Sequence, residues 1–177
     1  AKLISKAKVR SISEYTDKLF EVLRYISGKS EPTIAVLTPG IYNSAYYEHS
    51  YLAMQMGVEL VDYRDLIVEN DLLKLRTTKG FKTVDVLYRR LDDTFIDPLA
   101  FNPQSLIGVP NLFNAYKKGN LGLANALGTG VADDKVVYAY VPKIINYYLG
   151  EDPIIRNVET HLCEDPASMK YVLENIE

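Results

Sequence analysis

The chain has 177 residues, 47% of them hydrophobic, 24% charged and 11% aromatic, which suffices for one domain with a proper core and excludes dominant disorder. A formal charge of -3 removes any broad electrostatic pull toward a nucleic-acid backbone or an anionic membrane, so neither is an expected partner. One cysteine, Cys163, and two histidines, His49 and His161, exclude a disulfide framework and a thiolate-rich zinc site and fit a reducing, cytoplasmic setting.

No apolar run approaches the roughly 20 residues that span a bilayer, and no basic segment followed by an apolar signal core opens the sequence. The chain starts on Ala1 rather than Met and stops at Glu177 inside a helical pattern without a Gly or Pro stop, so a piece of a longer protein is expected.

Residues 11–27 carry Ile12, Tyr15, Leu19, Val22, Leu23 and Ile26 at helical spacing, with Ser11 or Ser13 as cap and Gly28 as stop. Residues 33–37 form an apolar, partly β-branched run that reads as a buried central strand, ended by Thr38-Pro39-Gly40. A helix over 44–56, stopped by Gly57, and a strand over 58–61 complete a strand, helix, strand unit, the mark of a parallel sheet. Residues 66–68 and 72–77 flank Glu69-Asn70-Asp71 as a hairpin, and Gly80 leads into a strand over 84–90. The expected fold class is therefore α/β: a mixed, mainly parallel sheet with helices on both faces. The breakers Pro98, Pro103, Gly108 and Pro110 make residues 97–110 an ordered loop with short turns, and residues 121–127 serve strand or helix equally. Residues 132–149 read as a long helix opened by Asp133 or Asp134 and kinked or divided at Pro142, residues 158–162 as a final strand, and Asp165-Pro166 as the start of the last helix.

In open α/β sheets ligands collect beyond the carboxyl ends of the strands, where helix N-termini present free N–H groups. Three segments qualify. The first is 39–44 leading into Glu48 and His49, which flank the buried stripe Ala45, Leu52, Met56 on its two margins, with Asn43 as a cap candidate and Ser44 beside it. The second is the strand end Arg89-Arg90-Leu91-Asp92-Asp93. Alternation sends the two arginines to opposite faces, and a guanidinium fork suits a bidentate anion; the alternative is a salt-bridge cluster with Asp92, Asp93 or Glu48. The third is Gly128-Thr129-Gly130 ahead of Asp133, Asp134 and Lys135, a weak anion cradle that lacks the third glycine of a dinucleotide fingerprint and the Gly-Lys-Ser/Thr of a P-loop. No triad signature and no metal-ligand motif is present, so no catalytic or metal-binding residue is assigned. The pairs Tyr46-Tyr47 and Tyr147-Tyr148, without a basic surround, read as core or interface.

Taken together, Leu37-Thr38-Pro39-Gly40, 43–49, 86–93, Pro98-Leu99, Val109-Pro110, Asn114-Ala115, Asn120 and 128–135 resemble the circularly permuted ATP-grasp proteins over nearly all of 33–177. That family is related to eukaryotic-type glutathione synthetase and glutathionylspermidine synthase, ligases that join a carboxylate to an amine through an acyl-phosphate. The resemblance implies a Rossmann-like substrate-binding α/β domain at 31–155, preceded by an appended helical segment at 1–30 and followed at 156–177 by the start of a linker or next subdomain. The ATP-grasp core, with its catalytic lysine and acidic Mg2+ ligands, is expected elsewhere in the parent chain and is its principal partner. It further implies that Asn43, Ser44, Glu48 and His49 lie in the segment contacting a small anionic or peptide-like substrate, that Arg89, with Asp92 nearby, matches the strand-end arginine segment and supplies the anion clamp, a role that a one-residue change of strand phase would pass to Arg90, and that Lys135 helps hold ATP. Arg90, Leu91 and Asp92 replace the synthetase's own residues, so a glutathione-like substrate is not implied. ATP and Mg are accordingly expected as cofactors of the parent and none for this chain, which by itself is expected to be inactive. A non-catalytic anion- or peptide-binding scaffold that keeps the fold is the alternative.

Overall fold

A computed structural model describes residues 11–176; residues 1–10 and Glu177, including the start of the expected 1–30 segment, lie outside the description. The first helix, α1 (Tyr15–Ser27), starts later than the Ser11 expectation. Ser11 and Ser13 bond to each other instead, and Glu14 takes the cap position without a side-chain bond. Gly28 stops the helix with φ 64°, a left-handed conformation that costs glycine no Cβ clash. The buried face is also rotated from the expected stripe: Thr16 and Leu23 are buried and Leu19 and Phe20 half-buried, whereas Ile12, Tyr15 and Val22 are exposed. Leu23 lies among Ile34, Val36, Val86 and Tyr88, so α1 is a layer on the sheet.

All four residues of β1 (Ile34–Leu37) are buried. Helix α2 (Tyr46–Met56) follows, then β2 (Glu59–Val61), parallel to β1 with Ala35 opposite Glu59. The hairpin forms as β3 (Leu66–Glu69) and β4 (Leu72–Thr77), turning through Asn70 and Asp71, both at positive φ, the reversal whose twist matches that of its strands. The strand expected over 84–90 forms, shortened, and a further strand that was not anticipated precedes it. Its upstream neighbour Gly80–Thr83 is β5, antiparallel to β4, and Val86–Arg89 is β6, parallel to β1. Asp85 marks the break: its carboxylate accepts the Thr33 N–H at 2.8 Å and Lys29 Nζ at 2.6 Å, tying the starts of β1 and β6 together. A short helix, α3 (Leu112–Lys117), not anticipated, leads to β7 (Gly122–Ala124), which resolves the 121–127 stretch as strand.

The parallel sheet runs β2-β1-β6-β7, with β1 interior as expected, and β3-β4-β5 form a separate antiparallel sheet rather than one margin of a single mixed sheet. Alternation sorts the core. Ile34, Val36, Val86 and Tyr88 face α1 and α2; Ala35, Leu37, Leu87 and Leu123 face the antiparallel sheet and α3 through Leu66, Leu73, Leu75, Leu112 and Ala115. Each fully buried leucine contributes about 1.5–3 kcal/mol of apolar burial.

The described residues divide into two compact units, 11–127 and 128–176. A 3-10 turn over Thr129–Asp133 precedes α4 (Lys135–Leu149), whose first turn is capped by the Asp134 carboxylate on the Val136 N–H. The helix runs through Pro142 undivided. Proline cannot donate to the Tyr138 carbonyl four residues back, and Asn157 Nδ2 donates to it instead at 2.9 Å. No strand forms over 158–162, where the Val158 N–H donates to the Tyr138 hydroxyl rather than to a partner strand. The last helix, α5 (Pro166–Glu174), starts as expected, with the Asp165 carboxylate on the Ser168 N–H and Pro166 in the first turn.

Candidate functional site

The chain leaves β1 toward β2 through α2 on one face, and leaves β6 toward β7 through α3 on the other. Strand order therefore reverses between β1 and β6, and the space beyond their carboxyl ends is the topological switch point where such sheets bind ligands. Thr38, Asn43, Ser44, Glu48 and His49 follow β1; Arg89 ends β6 and Arg90 and Asp92 follow it.

His49 is only 2% exposed and lies in the buried stripe with Leu52, Ala53 and Met56, whereas Glu48 alone occupies the margin. Its Nδ1 sits 2.9 Å from the Thr38 hydroxyl, which also accepts the Gly40 N–H at 3.2 Å. Either ring tautomer satisfies the contact, because a hydroxyl both donates and accepts. Burial, reinforced by the Arg90 charge and opposed by Glu48, holds the imidazole pKa below its ordinary value, so the ring is neutral at pH 7. The histidine thus locks the loop after β1 onto α2, a partner Thr38 that was not singled out from the sequence.

The two arginines do face opposite ways, and their surroundings differ. Arg89, with a side chain 9% exposed, points its fork at backbone: Nε donates to Asn125 O at 2.8 Å, Nη1 to Leu91 O at 2.8 Å and Nη2 to Ala126 O at 3.0 Å, and it pairs with Asp93. Every nitrogen of that guanidinium is engaged by structure that joins the ends of β6 and β7. Arg90 lies on the α2 side. Its Nη2 meets Glu48 Oε1 at 2.6 Å, Nη1 meets the Tyr88 hydroxyl at 3.2 Å, and the guanidinium carbon stands 5.8 Å from the Tyr88 ring centre. The Arg90 side chain is 27% exposed and that of Glu48 54%, so this pair opens to solvent at the switch point.

Asn43 is exposed and closes an Asx turn by accepting the Ala45 N–H at 2.9 Å, two residues ahead of the cap position that Ala45 holds, and Ser44 is exposed in the same turn. Asp92 is exposed and caps the 3-10 turn Asp93–Phe95 through the Thr94 N–H; it makes no hydrogen bond or ion pair with Glu48, His49 or Arg90. Lys135 is the exposed first residue of α4, in the other compact unit. The structure thus brings together Glu48, His49 and Arg90, with Thr38 and Tyr88, while Arg89 turns to the carbonyls after β6 and β7 and Asp92 to the Thr94 N–H.

On the α3 side of the carboxyl ends runs the irregular stretch 96–111. Asp97, 1% exposed, organises it by accepting the N–H groups of Leu99 (2.9 Å), Asn111 (3.2 Å) and Phe113 (2.9 Å). Gly108 crosses close to the preceding backbone: a Cβ there would meet Phe95 O at 2.1 Å. The sequence signal for this hub was Asp97-Pro98, a turn opener, read only as a breaker.

Among the described residues no group of three or more His, Cys, Asp or Glu side chains is arranged to hold a metal ion, and no helix is long and apolar enough to cross a membrane. The donor set around Lys135 consists of a helix cap and exposed glycines, which does not by itself fit a Mg-nucleotide site.

Compared with known proteins, all 177 residues match the family described as a circularly permuted ATP-grasp. The chain belongs to that family. An uncharacterized protein of Synechocystis sp. is 55% identical over 170 residues, 95% of this chain and 35% of its own length. An uncharacterized protein of Mycobacterium tuberculosis is 49% identical over 176 residues, 98% of this chain and 32% of its own length. A putative glutamate–cysteine ligase of Frankia casuarinae is 45% identical over 148 residues, 83% of this chain and 17% of its own length. This ATP-grasp family chain therefore spans about a third of the length of the first two relatives.

Proposed function

We propose that this chain is the substrate-binding α/β portion of an ATP-dependent carboxylate–amine ligase-like protein, inactive by itself. The observation that carries the reading is Arg90: a half-open guanidinium at the switch point, held by one exposed carboxylate and one phenol and flanked by a neutral, buried histidine. A ligase of this kind must bind an anionic carboxylate and orient it, and a guanidinium fork with a displaceable partner does both. Glu48 keeps Arg90 at the mouth until an anionic substrate takes its place, His49 and Thr38 fix the loop, and Asn43 and Ser44 line the approach. Arg90 is the binding arginine of the pair. Arg89, the residue that the family resemblance favoured, braces the strand ends.

ATP and Mg belong to the parent, with Lys135 as this chain's contribution to nucleotide binding by the family resemblance. The name of the Frankia relative supports amino-acid substrates, a carboxylate joined to an amine. The test is phosphate release by the whole protein with ATP, Mg2+ and panels of amino-acid carboxylates and amines, comparing Arg90→Ala and Arg90→Lys. Loss of substrate binding worth about 2–5 kcal/mol is expected for Arg90→Ala, with partial recovery in Arg90→Lys, if the substrate pair is desolvated. Full turnover in Arg90→Ala refutes the assignment. Substrate binding by the wild type without any phosphate release favours the scaffold alternative.

A further inference from the structure

We infer that the exposed apolar stripe of α4 is the seat for the polypeptide by which the relatives exceed this chain. The inference rests on reading the chain as one portion of a longer protein and not on the chemistry of the ligase site. The helix reads Lys-Val-Val-Tyr-Ala-Tyr-Val-Pro-Lys-Ile-Ile-Asn-Tyr-Tyr-Leu, without one acidic residue. One of its sides is accounted for. Tyr138 bonds to Asn157 and Val158, while Ala139 and Pro142 line an open hollow of about 530 Å³ with residues 152, 153 and 156–160.

The other side is not. Val136, Tyr140, Ile144 and Tyr147 follow one another at spacings of four, four and three, and they are 50, 42, 43 and 81% exposed. That spacing stacks them on a single face, roughly 16 Å long. Tyr148 extends the stripe, edge-on to Tyr147 at 4.9 Å between ring centres and 77% exposed. Met169 and Leu173 repeat the pattern on α5, four residues apart and 45 and 64% exposed. No described residue between 128 and 176 is buried, so this unit holds no core of its own for the stripe to turn into. Single exposed apolar residues are ordinary; a row of four along one face of a helix, in a unit with no buried residue to turn to, marks a contact surface.

The occupant is set by length. The Synechocystis and Mycobacterium relatives match 95 and 98% of this chain with about a third of their own residues, which leaves two thirds of each polypeptide to contact this unit from within the same molecule. Covalent linkage gives such a segment an effective concentration of the order of millimolar, against which a second copy competes poorly. Lys143, 5.6 Å from the Tyr140 ring at the margin of the stripe, and the lack of any carboxylate in α4 define the complement as an apolar surface with an acidic flank.

The experiment uses the whole protein with a photo-crosslinking benzoylphenylalanine in place of Tyr147, and hydroxyl-radical footprinting of the unmodified protein with Tyr42, 98% exposed, as the internal reference. Expected are crosslinks to peptides outside 1–177 of the same molecule, unchanged on dilution, and labelling of Tyr147 and Tyr148 well below that of Tyr42. Ile144→Glu is expected to raise the labelling of both tyrosines while the circular dichroism of the protein is retained. Crosslinks to 11–127, crosslinks between molecules that vanish on dilution, or labelling equal to that of Tyr42 each overturn the proposal. Ligase activity is not a readout, so a failed functional assignment leaves this result standing and the reverse also holds.

Discussion

Replacing Arg89 by alanine separates bracing from binding. The substitution removes three donors to carbonyls, those of Asn125, Leu91 and Ala126, and the partner of Asp93. Hydrogen bonds from a charged donor contribute about 1.5–3 kcal/mol each, and breaking a buried ion pair costs about 3–5 kcal/mol. The sum overstates the loss. Asn125 and Ala126 are exposed enough for water to rehydrate their carbonyls, and the Asp93 side chain is 27% exposed. A loss of about 2–4 kcal/mol is therefore expected, a fall in melting temperature of roughly 4–16 °C for a chain of this size. Calorimetry and urea denaturation of the chain measure it. Arg89→Lys should recover only part, since an ammonium can pair with Asp93 but cannot fork to three separated carbonyls. A double-mutant cycle with Asp93→Asn should show coupling. Stability within about 0.5 kcal/mol of wild type, combined with lost substrate binding in the whole protein, would refute the reasoning and return the binding role to Arg89.

Other perturbations read other parts of the structure. His49 titrates below its ordinary value of about 6.5, so the unfolded chain takes up a proton first; the contribution is fully present above about pH 6.5 and is lost as pH falls toward the lowered folded value, and His49→Gln should flatten that part of a stability–pH profile. Gly108→Ala forces a Cβ onto the Phe95 carbonyl and should cost at least the 1–3 kcal/mol of ordinary overpacking, measured by urea denaturation, because the obstacle is backbone. Asn157→Ala should cost about 1 kcal/mol by stranding the Tyr138 carbonyl, and Pro142→Ala should make that same change nearly neutral by restoring the helical donor, a coupling a double-mutant cycle reads directly. The isolated chain should release no phosphate from ATP and show no Mg-ATP binding by calorimetry at ordinary affinity.

The sequence carried the parallel sheet clearly, because β1 is apolar at four successive positions and Gly28 and Gly57 stop their helices where left-handed backbone is required. It was blind to what depends on distant partners. The break between β5 and β6 falls at Asp85, whose carboxylate bonds to Thr33 and Lys29, more than fifty residues earlier, and nothing local announces it. Residues 158–162 include the β-branched Val158 and Thr160 but pair with no strand among the described residues. At the site, alternation placed Arg89 and Arg90 on opposite faces but not which of them meets carbonyls and which meets Glu48, since that turns on a one-residue phase. His49 read as marginal because the helical wheel was centred on Ala45; the buried stripe actually runs through His49, Leu52, Ala53 and Met56.

Asp97 has a consequence for how a ligand is received. Three amide groups converge on one carboxylate, so a stretch without helix or strand has already surrendered its backbone freedom, about 1–2 kcal/mol per residue, during folding. The cost of ordering that stretch is met in folding, so none of it is left to oppose the binding of a ligand that touches it. The same three bonds hold the stretch against moving as a lid. On the ligase reading proposed above, exclusion of water from a reactive acyl intermediate is work for a different and movable part of the polypeptide.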